Sequence, residues 1–298
     1  MSFQEVCKLL RFSLDNGVEN EQSDVTAAYQ NMVSRISANS LRVTTSTAPL
    51  IYDSVSRVLA RLEIHQTPEV FIVNEESTNA MVFSPGLRDK LVIVIHSGLI
   101  RLMERNELDF VIAHEMGHCG FKHGNVAGTE GPHSELGVLR KHAVSRYQEL
   151  SADRIGLLGV SSINIAAKVM MKLASGLSSE HLGIDASAFM RQIEKPENSD
   201  YSGWTLHSSH PSLPLRLWSL IQFCQSTEYS RVSGKGPHGI RLSEIDTLIA
   251  ERLNREGDGA LSETEDEYYS SAILWACMVM ILADDKIEQD EHLALVKL

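Results

Sequence analysis

The stretch FVIAHEMGHCGFKHGN, residues 110–125, contains three histidines and one glutamate. His114 and His118 are four residues apart, so on a helix they lie about 40° from each other on one face, one turn apart. Two imidazoles in that arrangement can bind the same metal ion. Glu115 follows the first histidine, where its carboxylate can take a proton from a water whose pKa zinc lowers to about 7. The stretch therefore predicts a zinc site with His114 and His118 as ligands and Glu115 as the general base.

The surroundings of this HExxH pattern add to its weight. With 12 histidines in 298 residues, the bare pattern would arise by chance in roughly one such chain in thirty. Here the apolar residues FVIA precede it in the same predicted helix. Burying two imidazoles and a carboxylate there without a metal would leave polar groups unsatisfied, so we expect a metal.

His123 is a candidate for the third ligand, but helical geometry disfavours it. It follows His118 by five residues, about 140° around the helix, and would reach the ion only if the helix broke. Metzincins break the helix with the pattern HExxHxxGxxH, whereas Gly120 and His123 each come one residue too early for it. A place at the helix end or behind a ligand is the better prediction for His123.

The segment YQELSADRIG, residues 147–156, offers a better third ligand. Glu149 and Asp153 lie on one face of a helix predicted over Ser134–Leu158. Glu149 could complete a His, His, Glu site, and Asp153 could accept a hydrogen bond from a ligand imidazole. The alternative is that the two acids only form a solvated helix face. Small residues favour a close approach of the two helices: Gly117, Gly120, Ala152 and Gly156.

Helical patterns dominate the chain outside one short sheet. Glu21–Ile36 and Leu50–Leu62 have apolar residues at helical spacing, and helical patterns return after the last strand. Between them, EVFIV, NAMVF and LVIVI, residues 69–73, 79–83 and 91–95, are apolar runs rich in β-branched residues that predict strands. The predicted fold class is α+β, mostly helical, with a small β-sheet and a C-terminal helical segment.

The ends of the motif helix also carry signals. Asn106 is the predicted N-cap, with Glu107 and Asp109 in the first turn, where the helix dipole favours acids. Gly124-Asn125 is the predicted C-cap. We therefore expect the helix to run between these two caps.

Charge and cysteine spacing exclude several classes of function. The formal net charge of −12 argues against nucleic acid or anionic membrane as a partner, since both attract clustered Lys and Arg. The four cysteines match no CxxC or disulfide-framework spacing, so we expect free thiols in a reducing compartment. The longest apolar run, residues 270–283, is shorter than the roughly 20 residues of a transmembrane helix, and no signal-peptide pattern opens the chain. We expect a soluble, cytoplasmic protein with no transmembrane segment.

Three segments together resemble one family. ELDFVIAHEMGHCGFKH, ELSADRIG and SSHPSLPLR resemble the gluzincin metallopeptidases of the HtpX and CAAX prenyl protease type, peptidase family M48, over about Leu50–Leu220. The resemblance implies a zincin-like fold with the small sheet packed on the active-site helices. It also implies peptide-bond hydrolysis with one zinc ion and three protein ligands: His114, His118 and Glu149.

The resemblance assigns further residues around that site. It implies that His210, in the His210-Pro211 loop, stabilises the tetrahedral oxyanion, and that Arg216 holds that loop in place. The strand around Asn79-Ala80 resembles the edge strand along which a peptide substrate lies antiparallel. Many members of the family carry transmembrane helices, which this sequence lacks, so membrane-protein substrates are not implied.

The C-terminal part of the chain differs in charge from the rest. From Arg241 onward, 14 acidic and 5 basic residues carry −9 of the net charge, which indicates a separate segment. This segment resembles the helical TerB-like modules, and the pattern begins so close to Leu298 that the native chain is expected to be longer. The predicted division is an N-terminal helical segment 1–49, a metallopeptidase domain 50–225, a linker 226–240 and an acidic helical segment 241–298.

Residues 254–265, NREGDGALSETE, can be aligned with an EF-hand loop. Asn254 replaces the usual Asp at position 1 and Glu256 replaces the usual Asp or Asn at position 3, so we expect no calcium there. The acidic segment is instead a candidate surface for a protein partner.

Taken together, these residues predict a zinc-dependent metalloendopeptidase acting on a peptide or protein substrate. One alternative is a non-catalytic zinc-binding scaffold whose acidic C-terminal helices recruit a partner. Structural zinc sites are usually closed by four protein ligands, so an open position would argue against it. A second alternative is a latent protease whose cleft is covered by residues 1–45 or by the C-terminal segment.

Overall fold

A computed structural model describes residues 1–13, 15, 33–83, 91–123, 135–193, 208–236 and 238–253. Its helices are α1 (Phe3–Leu10), α2 (Pro49–Arg61), α3 (Ser97–Leu102), α4 (Arg105–Phe121), α5 (Glu135–Val160), α6 (Ile163–Ser175), α7 (Ala186–Met190), α8 (Leu213–Phe223), α9 (Thr227–Val232) and α10 (Leu242–Leu253). Residues 33–39 are also helical, and Arg191–Ile193 form a 3₁₀ turn. The strands are β1 (Leu41–Arg42), β2 (Glu69–Val73), β3 (Ala80–Phe83) and β4 (Val92–His96). The predicted α+β fold, mostly helical with a small sheet, is confirmed.

The four strands form one mixed sheet in the order β1-β2-β4-β3. The central strand β4 pairs in parallel with β2 and antiparallel with β3, and a strand buried on both faces is expected to be an unbroken apolar run. Ile93 and Ile95 join the main core, whereas Val92 and Val94 pack on the opposite face beside Val33. The sheet thus lies between the main helices and the helical residues 33–39.

Helices α4 and α5 approach each other closely through glycines. A Cβ atom at Gly117 would lie 3.1 Å from Ala152 Cα. Gly159, which the sequence pattern did not single out, is tighter still, because a Cβ there would lie 2.2 Å from Ala113 Cβ. Backbones this close cannot accept larger side chains without moving apart, and this contact brings the two motif segments together.

Gly120 has a different partner from the one predicted. The atoms nearest to a Cβ at Gly120 would be Cys7 Sγ at 2.6 Å and the Phe3 ring at 2.7 Å. Both side chains belong to α1. The expectation that Gly120 allows α5 to pack closely was therefore wrong, because the helix that packs against Gly120 is α1.

Both predicted ends of the motif helix were misplaced. The helix begins at Arg105, and Glu107 accepts the backbone N–H of Glu104 at 2.7 Å, so Asn106 is inside the first turn. At the other end, Lys122 adopts a left-handed conformation with φ 60° directly after Phe121, two residues before the predicted Gly124. Asn106 was predicted as the N-cap because its side chain can accept a backbone N–H at a helix start. In the structure Glu104 and Glu107 form a capping box instead, in which each side chain accepts the backbone N–H of the other residue.

A buried arginine joins the two ends of the described chain. Arg154 on α5 lies over the rings of both Phe12 and Phe223, donates to the carbonyl of Leu10 at 3.0 Å and pairs with Asp246 on α10. These contacts join the predicted metallopeptidase domain, 50–225, to the predicted N-terminal segment, 1–49, and to the predicted acidic segment, 241–298. The division itself stays a prediction.

Some expectations concern parts of the chain outside the described residues. They include most of the predicted helix Glu21–Ile36, the EF-hand-like residues 254–265 and the rest of the TerB-like segment. Among the residues that are described, no helix combines the length and the apolar character that crossing a membrane requires.

Candidate metal centre

Two imidazoles and a carboxylate converge between α4 and α5. His114 Nε2 lies 3.1 Å from His118 Nε2. Glu149 Oε1 lies 3.3 Å from His118 Nε2, and Glu149 Oε2 lies 3.5 Å from His114 Nε2. One ligand atom from each residue falls within 4.8 Å of the others. The fold thus brings together the three residues predicted as ligands from two separate helices.

These separations suit a zinc ion. With metal–ligand bonds of about 2.0–2.2 Å, the ligand atoms of a tetrahedral site lie roughly 3.3–3.6 Å apart, close to the 3.1–3.5 Å found here. Two imidazole nitrogens and one carboxylate are a donor set that zinc accepts, whereas calcium takes 6–8 oxygen ligands. The residues therefore fit zinc, and their role as ligands stays a prediction.

A carboxylate and a guanidinium lie behind His114. His114 Nδ1 is 3.0 Å from Asp153 Oδ1. Arg216 on α8 donates to both oxygens of Asp153, at 2.8 and 2.7 Å, and its Nη1 lies 3.0 Å from Glu149 Oε2. Asp153 and Arg216 are both buried. Arg216 therefore contacts both acids of the centre directly.

The charges of this group set its protonation. Burial raises the pKa of Glu149, but Arg216 and the two histidines outweigh burial and hold that pKa well below its ordinary value. Burial lowers the pKa of His114, but the contacts with Asp153 and Glu149 outweigh it and raise the pKa to about 10. Glu149 is therefore ionised at neutral pH, as a metal ligand must be, whereas His114 would release its proton when a metal binds.

Glu115 is half-buried on α4, beside His114. Burial raises its pKa, and the charges of His114 and His118 offset this only in part. A carboxylate with a raised pKa is a stronger base near neutral pH. This property suits a general base, the role that stays predicted for Glu115.

A third histidine and an N-terminal acid lie behind His118. His118 Nδ1 is 3.0 Å from His123 Nδ1, and His123 Nε2 is 2.8 Å from Asp15 Oδ2. The Ser151 hydroxyl donates to the same Asp15 oxygen at 2.8 Å. Sequence reasoning placed His123 behind a ligand or at the helix end but did not single out Asp15. No local pattern joins two residues 108 positions apart.

His210 approaches the centre from the loop before α8. Its ring is exposed, and its Nε2 lies 3.4 Å from Glu149 Oε1. The hydroxyl of Ser209 lies 2.9 Å from its Nδ1. This loop residue, singled out only by the family resemblance, therefore lies beside the predicted ligand.

The predicted substrate strand lies at an edge of the sheet. β3 begins at Ala80, pairs with β4 along one side and packs on α4. Asn79 is exposed just before the strand, and its carbonyl accepts the N–H of His96 at 3.0 Å. The role of Asn79 and Ala80 in binding a substrate stays a prediction.

Comparison with known proteins agrees with this geometry. The sequence profile described as Peptidase family M48 matches residues 46–131 and 126–222, more than half of the chain. The chain belongs to peptidase family M48.

Several relatives align with part of the chain. The plastoglobule-localized metallopeptidase 48, chloroplastic, of Arabidopsis thaliana is 28% identical over 187 residues, covering 55% of this chain and 54% of the relative. A protease HtpX homolog of Thermodesulfovibrio yellowstonii is 34% identical over 85 residues, 28% of either chain. One from Gemmatimonas aurantiaca is 25% identical over 219 residues, 60% of this chain and 77% of the relative. The comparison with solved structures found no significant match.

The M48 match contains the metal centre but not the N-terminal acid behind His123. It covers every residue from His114 to Arg216 described above. Asp15 lies outside it, in the N-terminal part that the family profile does not match. The contact between Asp15 and His123 therefore joins a residue outside the matched region to one inside it.

Proposed function

We propose that the chain is a zinc-dependent metalloendopeptidase that hydrolyses peptide or protein substrates. The observation that carries the proposal is the convergence of His114, His118 and Glu149 beside Glu115 in a chain of family M48. Zinc bound by the three ligands would polarise the substrate carbonyl and lower the pKa of a water to about 7.

Glu115 serves first as base and then as acid in this proposal. It takes a proton from the attacking water and delivers it to the leaving amine, so that the carboxylate is restored at the end of the cycle. The upward shift of its pKa by burial supports this role. A base whose pKa is nearer to neutral transfers a proton in both directions more readily.

His210 and Arg216 have supporting roles in the proposal. His210 donates a hydrogen bond from Nε2 to the oxyanion that forms on the substrate. The hydroxyl of Ser209 lies 2.9 Å from His210 Nδ1, and in this proposal it donates to Nδ1, so that the ring proton is on Nε2. Arg216 keeps Glu149 and Asp153 ionised and oriented through charge-assisted contacts.

A substrate peptide would extend the sheet at β3. In this proposal its backbone lies antiparallel to the strand that begins at Ala80, with Asn79 at the start of the contact. The position of β3 at one end of the strand order, packed on the helix that carries His114, supports this.

The test is Glu115→Gln, which removes the base and retains the ligands. We expect unchanged zinc content and a rate of casein cleavage lowered by about 10²- to 10⁴-fold, the usual contribution of acid–base catalysis. Glu251→Gln, at an exposed position on α10, is the matched control and should cleave at the wild-type rate. Cleavage by Glu115→Gln at the wild-type rate would refute the mechanism.

The same assay separates the alternatives. A wild-type chain that binds zinc and cleaves nothing would favour a latent or non-catalytic scaffold. The cytoplasmic location and the partner of the acidic segment stay predictions. The location is supported by Cys7, Cys119 and Cys224, which form no disulfide bond among the described residues.

A further inference from the structure

We propose that His123 and Asp15 are positioning residues for the metal ligand His118. By this contact the N-terminal segment, defined here as residues 11–13 and 15, completes the support of the metal centre. The proposal rests on the zinc site of the proposed function. It adds two residues that do not touch the metal or the substrate.

The contacts form a continuous line from the ligand to a carboxylate. His118 faces His114 and Glu149 with Nε2 and faces His123 with Nδ1 at 3.0 Å. His123 in turn faces Asp15 with Nε2 at 2.8 Å. Nδ1 of His118 and both ring nitrogens of His123 thus each have a partner within 3.0 Å along this line.

Only one placement of protons satisfies the whole line once a metal is bound. A metal on His118 Nε2 leaves the proton on His118 Nδ1, which donates to His123 Nδ1. His123 then carries its proton on Nε2 and donates it to Asp15. A ligand histidine whose second nitrogen donates to a partner is fixed in tautomer and ring orientation. His123 supplies that acceptor, and Asp15 fixes the tautomer of His123.

The end of α4 is built so that His123 can turn back. Along a continuing helix, a residue five positions after His118 would point about 140° away. Lys122 instead adopts the left-handed conformation at φ 60°. The His123 ring then stacks on Phe121 with centroids 5.0 Å apart, and its side chain is 1% exposed. The orientation of this ring is therefore determined by packing as well as by hydrogen bonds.

Asp15 is also held in place from several sides. It is 3% exposed and accepts the hydroxyl of Ser151, which in turn accepts the N–H of Phe12 at 3.0 Å. Arg11 donates to the carbonyl of Phe121 at 2.7 Å, and the N–H of Ser13 donates to Asp246 at 2.7 Å. Asp15 is therefore part of the packed interior, fixed through Oδ2 by His123 and Ser151, rather than a surface side chain.

The test measures zinc affinity of the full chain by competition with a chromogenic chelator. His123→Phe keeps the ring and its stacking but removes both nitrogens, and should raise the zinc dissociation constant about 10- to 100-fold. Asp15→Asn is isosteric and should shift it in the same direction by less, since an amide oxygen still accepts a hydrogen bond. The double variant should match His123→Phe alone, because Asp15 acts through His123. In cobalt-loaded protein, the visible absorption of His123→Phe should also differ from that of wild type.

A packing control separates positioning from a general loss of structure. Cys7→Ala loosens the contact of α1 with Gly120 but leaves every nitrogen and oxygen of the line, so its zinc affinity should stay at the wild-type value. Two folded single variants with wild-type affinity, or a double variant whose effect is the sum of the singles, would overturn the proposal.

The controls also distinguish this proposal from the proposed function. If the wild-type chain binds no zinc, both fail together. If wild type binds zinc and His118→Ala abolishes binding while His123→Phe leaves it intact, the zinc site stands and only the positioning role is refuted.

Discussion

The two histidines of the metal centre are supported by different kinds of neighbours. His114 faces Asp153, whose two oxygens are both held by Arg216. All of these residues lie within the matched M48 region. His118 faces His123 and, only through it, the carboxylate of Asp15. The first arrangement is a compact cluster of buried charges, and the second is a line with one contact at each step.

The difference separates two functions of residues behind a metal ligand. On the His114 side, a buried guanidinium balances two buried acids, so the fold itself depends on the cluster. On the His118 side, the contacts mainly orient a ring and depend on the docking of the N-terminal segment. Substitutions on the first side should therefore reduce both the stability of the fold and the affinity for metal, whereas substitutions on the second side should mainly reduce the affinity.

The largest effect is expected for Arg216→Ala. It leaves Asp153 and Glu149 buried without their cation, which should lower the free energy of unfolding by about 3–5 kcal/mol. Urea unfolding with excess chelator, followed by circular dichroism, measures this without a contribution from metal. Arg105→Ala breaks an exposed pair with Asp53 and should cost less than about 1 kcal/mol. If Arg216→Ala lowered the free energy of unfolding no more than this surface control does, the cluster behind His114 would not stabilise the fold, and the proposed difference between the two sides would be lost.

A smaller effect is expected for Asp153→Asn on zinc affinity. The loss of the carboxylate beside His114 should raise the zinc dissociation constant about 10- to 100-fold. Asp15→Asn should raise it less, because Asp15 reaches its ligand through a second ring. Competition titrations of both variants under one set of conditions give the ratio. A greater loss for Asp15→Asn would reverse the proposed ranking of the two sides.

The smallest effect is expected for Gly120→Ala. The added methyl would meet Cys7 Sγ and the Phe3 ring, so it should displace α1 and lower the free energy of unfolding by about 1–3 kcal/mol. The lower end applies because both contacts are side chains that can shift. Gly183→Ala adds a methyl where nothing lies within 4 Å and serves as the matched control. Zinc affinity that stays unchanged in Gly120→Ala would indicate that Asp15 remains docked when α1 moves.

Sequence periodicity was sufficient to predict that His114 and His118 share a helix face, whereas the convergence of Glu149 with them also depended on the small residues that let two helices approach. Residues four apart on a helix share a face, and this property holds wherever the helix packs. The predicted helix Leu50–Leu62 was likewise observed as Pro49–Arg61, because its apolar spacing fixes one buried side. Such features are local, so the sequence carries them directly.

Features that depend on tertiary contacts could not be predicted in the same way. Gly120 looks like a position for helix packing, but which helix fills it depends on where α1 docks. His123 could be excluded as a ligand by angle, yet its turn toward His118 required a left-handed Lys122, a conformation that non-glycine residues adopt infrequently. Asp15 has no pattern of its own that points to His123.

The buried guanidinium of Arg154 joins residues that are synthesised far apart in time. Its partners are the carbonyl of Leu10 and the carboxylate of Asp246, which also accepts the N–H of Ser13. A ribosome releases Asp246 long after the residues of the metal centre. A nascent chain would therefore present its metal ligands early, while the segment that carries Asp15 would find its full set of partners only once α10 had emerged.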